Sequence, residues 1–244
     1  MSPYTFVLIH GLWHDGSAWT AVIEQLRARG HNAYAPTVAG HGKGVHRDVG
    51  HRQAAQSVLD FVMDRGLTDF VLVGHSAGGV TVCKTVELIS DRIRRLVFCD
   101  AFILADGDSL TDNLPPQLRA WFDDLAAASF DGSVTLPPFD VWRESFMNDA
   151  DIDLVRSTYA QLSPAPYRQG IERIDLKKFY TLTMPRSYIF STEDTSLPHG
   201  EWGYHPGMTS RLGLFRFLQM PGGHEVIFTN PSGLADKIIE AGRD

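Results

Sequence analysis

Val71-Leu72-Val73-Gly74-His75-Ser76-Ala77-Gly78-Gly79-Val80 joins a run of branched apolar residues to a run of small ones through a single serine. Asp69 to Gly74 reads as a strand buried on both faces, and Ala77 to Ile89 carries apolar residues at helical spacing. A serine between such elements is either an ordinary turn residue or a nucleophile, and the glycines separate the two readings. A turn this sharp strains the backbone of the serine, and side chains two residues to either side would strike the strand and the helix. Gly74 and Gly78 remove those side chains, and Gly79 adds room. The helix that follows aims its free amides and positive dipole end at whatever sits above Ser76, which suits a developing oxyanion.

Working outward, the rest of the chain alternates in the same way. Phe6 to Ile9 is a short apolar run, Ser17 to Arg29 has helical spacing, and His31 to Val38 is a weaker strand. Gln53 to Arg65 reads as a helix stopped by Gly66, and Ile93 to Asp100 as another strand. Such alternation implies an α/β fold, a mostly parallel sheet covered by helices. From about Leu104 to Lys178 the pattern breaks, with six prolines, short amphipathic pieces and no convincing strand. It then resumes with a strand at Arg186 to Thr192, a helix-compatible stretch at Thr209 to Leu212, a strand at Leu214 to Met220 and a closing helix from Pro231 to Ala241. The expected organisation is a core of residues 1–103 and 179–244 with an inserted helical cap at 104–178.

A serine hydroxyl needs a base to take its proton, and the base needs a group to hold its tautomer. Ser76 lies in a G-x-S-x-G elbow between strand and helix, a setting in which acid and histidine follow the serine in that order. Three of the ten histidines lie beyond it: His199, His205 and His224. Only His224 sits in a glycine-rich loop after the last expected strand, where Gly222 and Gly223 would give it freedom to swing over Ser76. Glu193 and Asp194 follow the preceding strand and both remain candidates for the acid, with Asp100 as a third at the end of the strand after the elbow helix. The amides of Ala77 and Leu12 are the expected oxyanion hole, with His10 tying the Leu12 loop down by hydrogen bonds. A base of unperturbed pKa, about 6.5, would place the acid limb of the rate there.

Four stretches, Phe6 to Trp19, Val71 to Gly79, Phe190 to Pro198 and Met220 to Pro231, resemble the α/β-hydrolase superfamily, in the branch of hydroxynitrile lyases and plant methyl-ester esterases. The resemblance covers nearly the whole chain, the cap least, and implies an α/β-hydrolase fold. That branch carries its acid at the end of a T-D-x-D-like pattern, which selects Asp194. Its lyases need a threonine after the first histidine and a lysine after the catalytic one, where this chain has Gly11 and Glu225. Without the lysine's charge a cyanide leaving group is not stabilised, so hydrolysis is the stronger expectation. A carbon–carbon lyase and a cofactor-independent oxygenase using the His–Asp pair are the alternatives on the same fold. Further stretches, among them Thr37 to Gly44 and Leu197 to Pro206, resemble bacterial esterases of benzimidazole carbamates and imply a small aromatic carbamate, ester or amide substrate.

The chain has 244 residues, enough for one domain with an insertion, and 22 basic against 29 acidic residues give a net charge of -7. That balance argues against nucleic acid and anionic membranes as partners, leaving a small-molecule substrate and a homodimer as the one open assembly. Cys83 and Cys99 sit in apolar surroundings, are expected as buried thiols and suggest a cytoplasmic protein. The start of the chain lacks a leader pattern, and no apolar run is long enough to span a bilayer. His41, His46 and His51 recur every five residues without metal-ligand spacing and read as a solvated loop, so neither metal nor cofactor is expected. Trp13, His75, Asp100, Trp121 and Trp142 are the expected substrate contacts.

Overall fold

Six apolar runs become one parallel sheet in the computed structural model, which describes residues 3–243. Met1, Ser2 and Asp244, the outer ends of the two expected core pieces, lie outside the described residues. The strands are β1 (Thr5–Ile9), β2 (Asn32–Tyr34), β3 (Phe70–His75) and β4 (Ile93–Cys99). A two-residue antiparallel pairing of β5 (Ser133–Val134) with β6 (Ala165–Pro166) intervenes before β7 (Arg186–Ser191) and β8 (Arg216–Met220). The main sheet runs β2-β1-β3-β4-β7-β8. Its neighbours pair in parallel, with Leu8 opposite Val73, Val73 opposite Val97, Val97 opposite Ser187 and Ile189 opposite Leu218.

Parallel pairing needs crossovers, and the helices supply them on both faces. They are α1 (Thr20–Ala28), α2 (His51–Asp64) and α3 (Gly78–Ile89), followed by α4 (Pro116–Ala127), α5 (Phe139–Val141), α6 (Ile152–Tyr159), α7 (Tyr167–Ile171) and α8 (Lys177–Thr181), and then α9 (Val226–Thr229) and α10 (Pro231–Gly242). One face of the sheet packs Val7, Leu72, Leu96 and Tyr188 towards α2 and α3, and the other packs Phe6, Val71, Val97 and Ile189 towards α1 and α10. All six residues of β3 are buried, as its unbroken apolar run requires. Each such Val, Leu or Phe contributes about 1.5–3 kcal/mol by leaving water.

Residues 104–178 give no strand to the main sheet and are mostly short helices and turns. The β5–β6 pairing is a departure from the strandless reading of that segment. Two residues a side are too short to show a period of two in sequence. The histidine loop also departs from expectation. His41 and His51 are buried, and His41 Nε2 meets Gln169 Oε1 at 3.2 Å, which ties the loop beneath α7. Cys83 and Cys99 are buried and unpaired. No helix among the described residues is long and apolar enough to cross a membrane.

Candidate active site

The parallel sheet brings the C-terminal ends of β1, β3, β4, β7 and β8 to one edge, where open α/β sheets bind ligands. Ser76, directly after β3, has φ of 53°, a left-handed conformation that costs a non-glycine residue about 1–2 kcal/mol. The turn is held by its backbone: Ser76 N donates to Cys99 O at 3.2 Å, and Ser76 O accepts from Gly79 N and Phe102 N, each at 3.0 Å. A Cβ on Gly74 would lie 2.8 Å from Val82 Cγ2, and one on Gly78 would lie 2.5 Å from His10 O. The glycines are therefore steric requirements of an elbow wedged between β1 and α3.

The loop after β8 lays His224 over the serine, with Nε2 3.0 Å from Ser76 Oγ. Its Nδ1 is 2.7 Å from Asp194 Oδ2, so the neutral ring carries its proton on Nδ1 and turns a lone pair towards the hydroxyl. Glu193 points to solvent, and Asp194 is buried. Asp194 Oδ1 accepts from Ser196 N at 2.8 Å and Ser196 Oγ at 2.7 Å. Burial resists ionisation of this carboxyl, yet the imidazole and the Ser196 bonds hold it below the usual carboxylate range. Burial likewise lowers an imidazole, but at His224 the charge and hydrogen bond of Asp194 outweigh it. With Glu225 and Asp100 adding to the field, His224 is raised from 6.5 to about 9. The expected unperturbed base is thus corrected by three nearby carboxyl groups.

Gly11 brings the loop after β1 against the elbow, since a Cβ there would lie 2.8 Å from Ser76 Cβ. His10 anchors that loop by donating from Nδ1 to Gly11 O at 2.9 Å and accepting at Nε2 from Val38 N at 3.1 Å. The amides of Leu12 and Ala77 find no acceptor among the described residues. Above Ser76 opens a pocket of about 690 Å³, part of it open to solvent, walled by Leu114, Leu118, Trp121, Phe122 and Phe146 among others. Trp13 also lines it, with its indole N–H on Thr135 O at 3.0 Å.

Three expected substrate contacts lie elsewhere. Trp142 is buried behind Phe146, stacked on it at 5.5 Å, with its indole N–H towards Thr158 Oγ1. His75 alternates to the far side of the elbow from Ser76, and its Nε2 donates to the main-chain carbonyl of His224 at 2.9 Å. Burial lowers His75 to about 4, so it stays a neutral donor. Asp100 lies below the pocket, accepting from Ser191 N at 2.8 Å, and burial followed by the charge of Asp194 raises it to about 7. Sequence reading missed Ser196 and Tyr204. Tyr204 stacks on His224 at 5.6 Å and 13° and lines the pocket. Ser196 had a local signal, since Asp followed two residues later by a bonded amide is an Asx-turn; Tyr204 had none.

An elbow serine, a histidine from the last loop and an acid after the preceding strand, all on one edge of a parallel sheet, define a class. Residues 6–237 match the model of the alpha/beta hydrolase family, and the chain belongs to that family. Among its relatives is the carbendazim hydrolyzing esterase of Nocardioides sp. (strain SG-4G), 37% identical over 97% of this chain and 99% of the relative. The pyrethroid hydrolase of Sphingobium wenxiniae is 23% identical over 98% of this chain and 88% of its own length. An extracellular α/β-hydrolase from a Paenibacillus species superposes with a TM-score of 0.96 at 41% identity, covering 99% of this chain and all (100%) of that one.

Proposed function

We propose that this chain is a serine hydrolase that cleaves small, apolar or aromatic esters, carbamates or amides through a covalent enzyme intermediate. The observation that carries this reading is the hydrogen-bonded row Ser76–His224–Asp194 at the floor of an apolar pocket. His224 Nε2 takes the Ser76 proton as Oγ attacks the substrate carbonyl, and Asp194 holds the Nδ1–H tautomer and stabilises the imidazolium. The unengaged amides of Leu12 and Ala77 receive the oxyanion, each such donor being worth about 3–4 kcal/mol. His224 then protonates the leaving group, and water releases the acyl group by the same steps in reverse.

Gly11 supports hydrolysis over lyase chemistry, because a threonine there would collide with Ser76. The relative that hydrolyses carbendazim, similar over nearly the whole length, supports an aromatic carbamate as the substrate class. The test is stopped-flow hydrolysis of a matched aryl acetate and aryl N-methylcarbamate. Both should release the aryl group in a burst, with the slower steady state for the resonance-stabilised carbamoyl enzyme. Turnover without a burst for either ester, at a rate unchanged in Ser76→Ala, would refute the covalent reading.

A further inference from the structure

The turn that walls the pocket also grips the two loops that carry acid and base. Trp142–Phe146 is a π-helical turn, a rare geometry concentrated at functional sites. Phe146 lines the pocket and meets the His224 ring edge-on at 5.7 Å, and its carbonyl accepts from Glu225 N at 3.2 Å. Three residues on, Asp149 Oδ2 accepts from Gly223 N at 2.9 Å and from Thr229 Oγ1 at 2.8 Å. One oxygen thus ties together both sides of the segment that contains His224. The neighbouring Asn148 Nδ2 donates to Glu193 O at 2.9 Å, and Glu193 N donates to Gly222 O at 3.0 Å. The acid loop and the base loop are therefore joined to each other and to the same turn.

Gly223 reads differently in this light. A Cβ there would lie 2.5 Å from Asn148 Oδ1 and 2.8 Å from Asp149 Oδ1. Glycine at 223 lets the loop be clamped, whereas the sequence suggested that it lets the loop swing.

We infer that Asp149 is a positioning residue for the hydrolysis: its carboxylate fixes the His224 loop so that Nε2 stays in reach of Ser76 Oγ. The inference rests on His224 acting as the base. The contact is made to backbone and hydroxyl donors flanking the base, so its loss moves the base without removing any wall of the pocket. A displacement of about 1 Å at a reacting group costs up to about a hundredfold in rate.

The test measures kcat and KM for 4-nitrophenyl acetate in Asp149→Ala, Asp149→Asn and Thr229→Val, with His224→Ala as control. Asp149→Ala should lower kcat by about tenfold to a hundredfold with KM within about twofold. Asp149→Asn, whose amide oxygen can accept the same two bonds, should restore kcat to within about threefold of wild type. Thr229→Val removes one of the two donors and should lower kcat by about threefold, which decides the matter even if Asp149→Ala fails to fold. The low-field Nδ1–H proton resonance of His224 should be broadened or lost in Asp149→Ala and kept in Asp149→Asn. An unchanged kcat in Thr229→Val, an unchanged kcat in a folded Asp149→Ala, a raised KM at constant kcat, or equal losses in the Ala and Asn variants overturns the inference. Full activity in His224→Ala instead sinks the functional reading beneath it.

Discussion

Replacing Asp194 by asparagine removes the charge that sets the behaviour of His224 while keeping the size of the side chain. The imidazole is raised to about 9 against an ordinary 6.5, with Asp194 the largest favourable influence. At 1.36 kcal/mol per pKa unit that net rise is on the order of 3 kcal/mol, what Asp194, Glu225 and Asp100 together leave after the cost of burial. The imidazolium forms as the serine attacks, so losing the largest of these influences slows turnover by roughly one to two orders of magnitude. Asparagine also presents an N–H donor to a ring nitrogen that must itself carry a proton, and the wrong tautomer extends the loss towards about 10⁴-fold. The pH profile separates the two effects. His224 must be neutral to accept the serine proton, so a raised pKa moves the rise of kcat/KM with pH to the alkaline side of 6.5, towards about 9. In Asp194→Asn only Glu225 and Asp100 remain to offset burial, so the residual activity should rise at lower pH. Steady-state assays of an aryl ester across pH 5 to 10 at constant ionic strength, with Glu193→Gln and Asp100→Asn in parallel, read both quantities. A wild-type acid limb at or below pH 6.5, an unmoved limb in Asp194→Asn, or a larger loss in Asp100→Asn would refute the reasoning.

Ser76→Ala should fold normally and lose at least about 10³-fold in turnover, checked by circular dichroism and ester hydrolysis. Gly11→Thr should lower kcat without gaining cyanohydrin cleavage, because its Cβ would sit 2.8 Å from Ser76 Cβ; a cyanide assay reads the second half. His75→Phe should lower kcat more than KM by freeing the carbonyl of His224, and equal kcat in the variant would deny His75 that role. The raised pKa of His224 stabilises the fold fully below 6.5 and loses that contribution as pH rises through about 9. The stability gap between wild type and His224→Gln should therefore narrow over that range in urea titrations.

The elbow could be read from sequence because its determinants are local: a buried strand, two glycines forced by sterics and an amphipathic helix within twenty residues. His224 followed from chain order and a loop position. Glu193 and Asp194 could not be separated by residue type or position; the resemblance chose the second, and its geometry is that Asp194 turns inward while Glu193 faces solvent. What stayed hidden depends on contacts between distant segments. Trp121 and Trp142 look alike in sequence, yet one lines the pocket and the other is buried behind Phe146, stacked on it. Tyr204 from a loop and His75 from the end of β3 meet His224, and Asp149 bonds Gly223 and Thr229 on either side of it; no spacing in the chain announces that they converge.

The central claim, that Ser76 is a nucleophile that carries the acyl group, is tested most directly by trapping the intermediate. Quenched-flow mass spectrometry with an aryl N-methylcarbamate should show one carbamoyl group on the wild-type chain within the first turnover, mapping to the peptide that contains Ser76 and absent from Ser76→Ala. Continued turnover with no adduct on that peptide, at the same rate in Ser76→Ala, would contradict it.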